Sequence, residues 1–242
     1  MFDHVTIRVS DREAAERFYD TVLPVLGLSA RGARPYTEWG DFSLAAADRD
    51  RPVTRGLHVG FAASSRARVD EFWRTGTEAG LKSDGAPGPR PQYGDDYYGA
   101  FLLDPDGNSI EAVHHGTTPA EGTIDHLWIR VADVAESTVF YDTIAPFAGY
   151  RLRRSTPERA QFTGSQGSFS VVTGRPTQPF HLAFPADSDA TVQAFHRAAM
   201  EAGYRNNGAP GERAVYHPGY YGAFILDPDG NNVEVVNHNR RP

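Results

Sequence analysis

The sequence predicts an α+β fold of four βαβββ units pairing into two cupped-sheet barrels. The first observation behind this is a repeat. The stretch YYGAFLLDPDGNSIEAV at Tyr97–Val113 returns as YYGAFILDPDGNNVEVV at Tyr220–Val236, with 13 of 17 positions identical at an offset of 123. Around it, FDHVTIRV from Phe2 reappears as IDHLWIRV from Ile124, and AGLKSDGAPG from Ala79 as AGYRNNGAPG from Ala202. Self-similarity over this length means two homologous halves, residues 1–117 and 122–242. The second observation is strict apolar alternation at the start of each half, the period of a strand. The third is that the strand-then-helix pattern restarts inside each half. The units run at about 1–50, 55–117, 122–175 and 178–240.

The elements follow in order. Phe2 to Val9 alternates, with His4, Thr6 and Arg8 on one face and Val5, Ile7 and Val9 on the other, which is a half-buried strand. Ser10 and Glu13 have capping-box spacing, and Ala15, Phe18, Tyr19 and Val22 form one apolar helical stripe behind them. Short strand-like runs at Tyr36–Trp39 and Phe42–Ala46 precede a charged, proline-containing break at Asp48–Arg55. Gly56–Ala62 then reads as a strand, and Val69, Phe72, Trp73 and Gly76 mark a helix closed by Gly80. Tyr97–Leu103 and Asn108–His114 make a hairpin around Asp104-Pro105-Asp106-Gly107, where proline presets the turn and glycine accepts positive φ.

Composition excludes more than it assigns. With 40% hydrophobic and 23% charged residues, 242 positions suffice to bury a core without covalent staples. There is no cysteine, which removes disulfides, thiolate ligands and cysteine nucleophiles. A net charge of -7 without a long basic run argues against a nucleic-acid partner. No apolar run suggests a signal peptide or membrane span, so the expected location is cytoplasmic, with a small molecule as partner and a homodimer left open.

The ionisable residues that keep their place in both halves are few: His4, His58 and Glu111 in the first, His126, His181 and Glu234 in the second. Each histidine starts the first strand of a unit, and each glutamate sits in a last strand. Their strand faces carry polar or small neighbours, so the sheet should curve with these side chains inside. An unpaired charge there is costly unless a cation compensates it. A lone strand histidine usually just packs; a triad kept twice points to two metal sites. Imidazole and carboxylate together suit Fe(II), Mn(II), Zn(II) or Ni(II). Arg8 and Arg130 share their strand face with His4 and His126 and are candidate clamps for an anionic substrate, although a surface role fits them equally. Tyr97, Tyr98, Tyr220 and Tyr221 could line a pocket. His114, His115 and His238 trail the last strands and are expected to be exposed.

Paired βαβββ units, a first-strand histidine and a glutamate soon after a D-P-D-G-N turn resemble the vicinal oxygen chelate superfamily. It includes glyoxalase I, fosfomycin-resistance transferases, extradiol dioxygenases and bleomycin-binding proteins. The resemblance covers essentially the whole chain and implies a cupped sheet that holds a divalent metal with open positions for two adjacent substrate oxygens. The His, His, Glu set is more similar to the three-ligand extradiol and fosfomycin branches than to glyoxalase I. In the second half, Val215-Tyr216-His217, Ala223-Phe224 and Asp227-Pro228-Asp229-Gly230 up to Glu234 resemble the extradiol signature closely. Ala223 and Phe224 depart from it: Phe224 lacks the hydroxyl of the family's tyrosine, and Tyr216, Tyr220 or Tyr221 would have to supply one.

The resemblance thus implies dioxygenase-like chemistry on a small aromatic or enolisable substrate. His217 would be general acid/base, Tyr221 would orient the substrate, and Arg8, Arg130, Tyr98, Tyr216 and Phe224 would line its pocket. A glyoxalase-type lyase or isomerase comes next, and a metal-free protein that sequesters an aromatic antibiotic is the rival from another class. Gly94 stands where His217 would be in the first half, so the two sites should be unequal. Barrels could form from consecutive units within a half, the favoured arrangement, which sets His126 with His181 and Glu234. Exchange between halves would instead set His4 with His181 and Glu234, and His126 with His58 and Glu111.

Overall fold

Two mixed sheets, of seven and eight strands, carry four helices in the computed structural model, which describes all residues except 33–34, 117–118, 121 and 240–242. The first unit contributes β1 (His4–Val9), α1 (Arg12–Val22), β2 (Thr37–Trp39) and β3 (Phe42–Ala46). The second contributes β4 (His58–Ala62), α2 (Arg66–Glu78), β5 (Lys82–Pro89), β6 (Tyr98–Leu103) and β7 (Ser109–His114). The third has β8 (Ile124–Val131), α3 (Val134–Ala148), β9 (Tyr150–Thr156), β10 (Arg159–Gly164) and β11 (Ser168–Thr173). The fourth has β12 (Phe180–Pro185), α4 (Asp189–Glu201), β13 (Arg205–Glu212), β14 (Tyr221–Leu226) and β15 (Asn232–Asn237). The βαβββ plan therefore holds in three units. In the first, the strand before β2 is reduced to a bridge between Arg31 and Glu38. Among the described residues no helix is long and apolar enough to cross a membrane.

The pairing of units is the exchanged one, which corrects the expectation of consecutive pairing. The seven-stranded sheet runs β13-β14-β15-β12-β1-β3-β2, joining unit one to unit four; the other runs β5-β6-β7-β4-β8-β11-β10-β9, joining units two and three. Each unit has its first strand at an open edge, and these edges meet antiparallel, with His4 opposite Ala183 and Gly60 opposite His126. Both sheets are open cups, not closed barrels.

What decides the pairing is how the units of one half pack. The D-P-D-G-N turn of unit two docks on the helix end of unit one: Tyr19 Oη donates to Asp104 Oδ2 at 3.0 Å, and Ser10 donates through N and Oγ to Asp106 at 2.9 and 2.6 Å. The second half repeats this with Tyr141 on Asp227 at 3.0 Å and the Ala132 amide on Asp229. These bonds hold the units of a half back to back over a buried core that includes Trp39, Phe42, Phe61 and Phe72, leaving each concave face to be completed by the other half. Ser10 is thus not the helix cap. Asp11 caps α1, its carboxylate accepting from Ala14 N at 3.0 Å.

Candidate metal centres

Alternation along the first and last strands aims the six predicted ligands into the cups, where they form two triads, one per cup. In the first cup His4 Nε2 lies 3.0 Å from His181 Nε2, which lies 3.0 Å from Glu234 Oε2; the His4 to Glu234 distance is 3.8 Å. In the second cup His58 Nε2 is 3.0 Å from Glu111 Oε2 and 3.1 Å from His126 Nε2, and His126 Nε2 is 3.2 Å from Glu111 Oε2. Three donors on one face of an octahedral ion, each about 2.1 Å from it, would stand about 3.0 Å apart. The second triad fits that spacing throughout, and the first at two of its three distances. His126 therefore belongs with His58 and Glu111, not with His181 and Glu234.

The donors are held from behind. Glu111 Oε1 accepts from Tyr97 Oη at 2.9 Å and Glu234 Oε1 from Tyr220 Oη at 2.7 Å, leaving the other carboxylate oxygen for the triad. Burial and the neighbouring carboxylate push both phenols above the usual tyrosine range, so they stay neutral donors. His4 Nδ1 meets Asp3 and His126 Nδ1 meets Asp125, each at 2.8 Å, an orientation that turns Nε2 inward. Burial alone would pull the His126 imidazole down, but hydrogen bonds to Asp125 and Glu111, with their charges, hold it up at about 9. Asp125, despite burial, is held down at about 2 by His115 and His126. His58 and His181 are shifted the other way, lowered chiefly by burial.

Two glycines make room for the triads. A Cβ at Gly60 would come within 2.3 Å of His126 Cε1, and one at Gly99 within 2.3 Å of Glu111 Oε1. The first cup keeps the second device, at Gly222 beside Glu234, but has Ala183 in place of Gly60. Its His4 side chain is correspondingly more open, 27% exposed against 9% for His126.

The fourth side of each triad is not a carboxylate. Register sets Ser43 opposite Thr6 and Ser170 opposite Trp128, the positions that match Glu111 opposite Gly60 across the pairing of first strands. Thr6 and Ser43 bond each other at 2.8 Å, and Ser170 accepts from Arg159. Each cup thus gathers three candidate ligands.

The other expected site residues are divided. Phe224 faces the first triad, its ring 6.2 Å from that of His181. Tyr216 packs tilted against Tyr220, ring centres 4.8 Å apart, and is half exposed. Arg130 lines the cavity above the second triad, and Arg8 sits over the Tyr36 ring near the rim of the first cup. Tyr98 and Tyr221 lie on the opposite strand face: Tyr98 Oη donates to Asp70 on α2 and Tyr221 Oη accepts from Gln193 on α4. Neither touches a triad, and the inward hydroxyls belong to Tyr97 and Tyr220. Strand phase could have shown this, since Tyr97, Gly99 and Phe101 share one face and Tyr98 the other.

His115 and His238 are half-buried, not free surface residues. His115 Nε2 is 3.0 Å from Asp125, and His238 Nε2 is 2.8 Å from Asp3. In the first cup the chain of contacts runs on, because His217 Nε2 meets His238 Nδ1 at 2.8 Å with the rings stacked. His217 thus reaches His4 through His238 and Asp3. The sequence signal was present: the Asp-His pair at 3–4 returns at 125–126, and His115 returns as His238.

The family model of the Glyoxalase/Bleomycin resistance protein/Dioxygenase superfamily matches residues 1–112 and again 123–235. Glyoxalase I from Zea mays is similar in structure, with a TM-score of 0.70 at 20% identity over 98% of this chain and 92% of that one. A candidate dioxygenase from Bacillus subtilis superposes with a TM-score of 0.68 at 12% identity over 99% and 85%. At these identities both likenesses concern the fold. A comparison with curated proteins found no match.

Proposed function

Because the chain belongs to the glyoxalase/bleomycin resistance protein/dioxygenase superfamily, we propose that it is a two-centre metalloenzyme with dioxygenase-like chemistry on a small aromatic or enolisable substrate. The observation that carries the reading is the pair of His, His, Glu triads, with every donor pair but His4–Glu234 at 3.0 to 3.2 Å, no carboxylate on the fourth side and an open cup in front. A divalent ion held there would supply Lewis-acid stabilisation of two adjacent substrate oxygens and, if redox-active, the means to activate dioxygen. The chain's own residues do the rest. Tyr97 and Tyr220 fix the carboxylates, Asp3 and Asp125 fix the imidazole tautomers, and Phe101 and Phe224 wall the cups near His58 and His181. His217, at the outer end of its chain of contacts, is the candidate acid/base for the first cup, and Gly94 leaves the second without one.

The test is oxygen uptake by protein loaded with Fe(II), Mn(II), Zn(II) or Ni(II) in turn, against a panel of catechols and enolisable ketones. Turnover that needs the metal but no oxygen would move the reading to a lyase or isomerase. A ligand bound equally by wild type, His217→Ala and metal-stripped protein, and released unchanged, would make the chain a binding protein instead.

A further inference from the structure

We infer that the second cup takes a substrate with an anionic group, a carboxylate or phosphate, seated on Arg151, Arg154 and Arg159 across the cavity from the triad. This rests on the reading of the triad as a substrate-chelating metal centre. One cavity of about 1420 Å³ contains both His58, Glu111 and His126 and these arginines. Its wall from Arg151 to Val172 holds four arginines and no carboxylate; besides Glu111 of the triad, the acids of the lining stand on the other side, where Asp125 is engaged by histidines, Asp96 by the Gly116 amide and Asp84 by the Ser109 hydroxyl.

Strand register carries the arginines to the concave face. Arg151 stands opposite Thr163, which stands opposite Ser168, which stands opposite His126; Arg154, Gln161, Ser170 and Trp128 form the next row. Three strand spacings separate β9 from β8, about 14 Å between backbones. A substrate that chelates at the triad and extends along this floor meets the guanidinium groups with its far end.

Charged residues on an edge strand commonly serve only to prevent edge pairing. That explanation does not reach Arg159. It lies on β10, one strand in from the edge, half-buried, with its guanidinium 4.4 Å over the Trp128 ring and bonded to Ser170 Oγ at 3.0 and 3.1 Å. Burial and the neighbouring Arg154 hold its pKa below the usual value, so its charge is carried at a cost that an anion would relieve. The first cup has Arg31 at the position of Arg154, but there the arginine pairs with Glu38, a carboxylate in its own row, where the second cup has the neutral Gln161. The arginine wall without an acid in its rows is that of the second cup.

The experiment uses the full chain with Glu234→Ala, so that Mn(II) loads the second cup alone, and compares catechol with 3,4-dihydroxybenzenesulfonate by calorimetry. The sulfonate should bind at least about tenfold tighter than catechol, with the advantage falling as salt rises. The exposed pair Arg151→Gln, Arg154→Gln should reduce that ratio to about twofold or less while Mn(II) content and catechol affinity stay unchanged. Arg159→Gln alone should reduce it part way. A ratio that survives the double substitution overturns the inference. The metal reading fails separately: sulfonate binding that needs the arginines but not Mn(II), with no catechol binding, leaves the anion wall and removes the chelation. Inorganic phosphate and acetate as competitors tell the two anion classes apart, and displacement of the sulfonate by neither counts against the inference.

Discussion

The pH dependence of metal binding in the second cup follows from the setting of His126. A ligand imidazole must be deprotonated at the donor nitrogen, yet Asp125 and Glu111 hold this one at about 9 in the metal-free protein. At pH 7 an ion must therefore displace a proton held about two pH units more tightly than the medium holds it, and the apparent affinity should be roughly 100-fold below its value above pH 9. Between pH 7 and 8.5 the logarithm of the association constant should rise by about one per pH unit, with close to one proton released per ion. Mn(II) calorimetry on the Glu234→Ala protein, in two buffers of different ionisation enthalpy, measures both. Asp125→Asn removes the leading cause of the upward shift and leaves burial to act, so the slope above pH 7 should flatten. The lost orientation should lower the high-pH affinity by roughly 10 to 100-fold. The same shift has a stability sign. A folded-state value raised from 6.5 to about 9 stabilises the metal-free protein fully below pH 6.5 and is lost as pH rises through 9, at most roughly 3 kcal/mol. An affinity that stays flat from pH 7 to 8.5, with no proton released, refutes the argument.

Other outcomes are expected from the same geometry. Wild type prepared without chelator should hold two divalent ions per chain, and Glu234→Ala or Glu111→Ala should each lose one while keeping the other, by elemental analysis; full occupancy in either variant removes that glutamate from the ligand set. Gly60→Ala drives a Cβ into His126 and should abolish binding in the second cup only, whereas Ala183→Gly should leave the second cup untouched and tighten the first. His217→Ala should cut turnover in the first cup by roughly 10² to 10⁴ at unchanged metal content, once a substrate is in hand. Tyr19→Phe leaves Asp104 short of a donor and should lower stability by about 1 to 3 kcal/mol in denaturant titration without changing metal affinity.

The repeat, the first and last strands of the units and the clustering of the six candidate ligands were legible because duplication wrote each of them twice at nearly constant spacing, and because alternation fixes which side chains share a face. The pairing of units was not. Every first strand offers the same open edge, and the choice falls to bonds such as Tyr19 to Asp104 and Ser10 to Asp106, whose residues look locally like a helix stripe, a cap and a turn. β5 and β13 were hidden for another reason: KSDGAPGP and RNNGAPGE have no apolar alternation, and both pair with shifted register. Tyr98 and Tyr221 were misplaced by one residue of phase, which in a strand exchanges cavity for helix. The arginine wall could not be read from Arg151, Arg153 and Arg154, which in sequence resemble any solvated edge.

The nested pairing also sets an order of assembly. Once synthesis has passed Thr173, units two and three are both available and the second cup can close through neighbours in sequence. β1 has no such neighbour: its antiparallel partner β12 begins at Phe180, and Glu234 arrives only with β15. During that interval β1 has one edge on β3 and the other exposed, a slow long-range closure that leaves an apolar strand open to wrong partners. On a ribosome the two cups therefore close at different times, and the one that holds the first-encoded strand is the last to be completed.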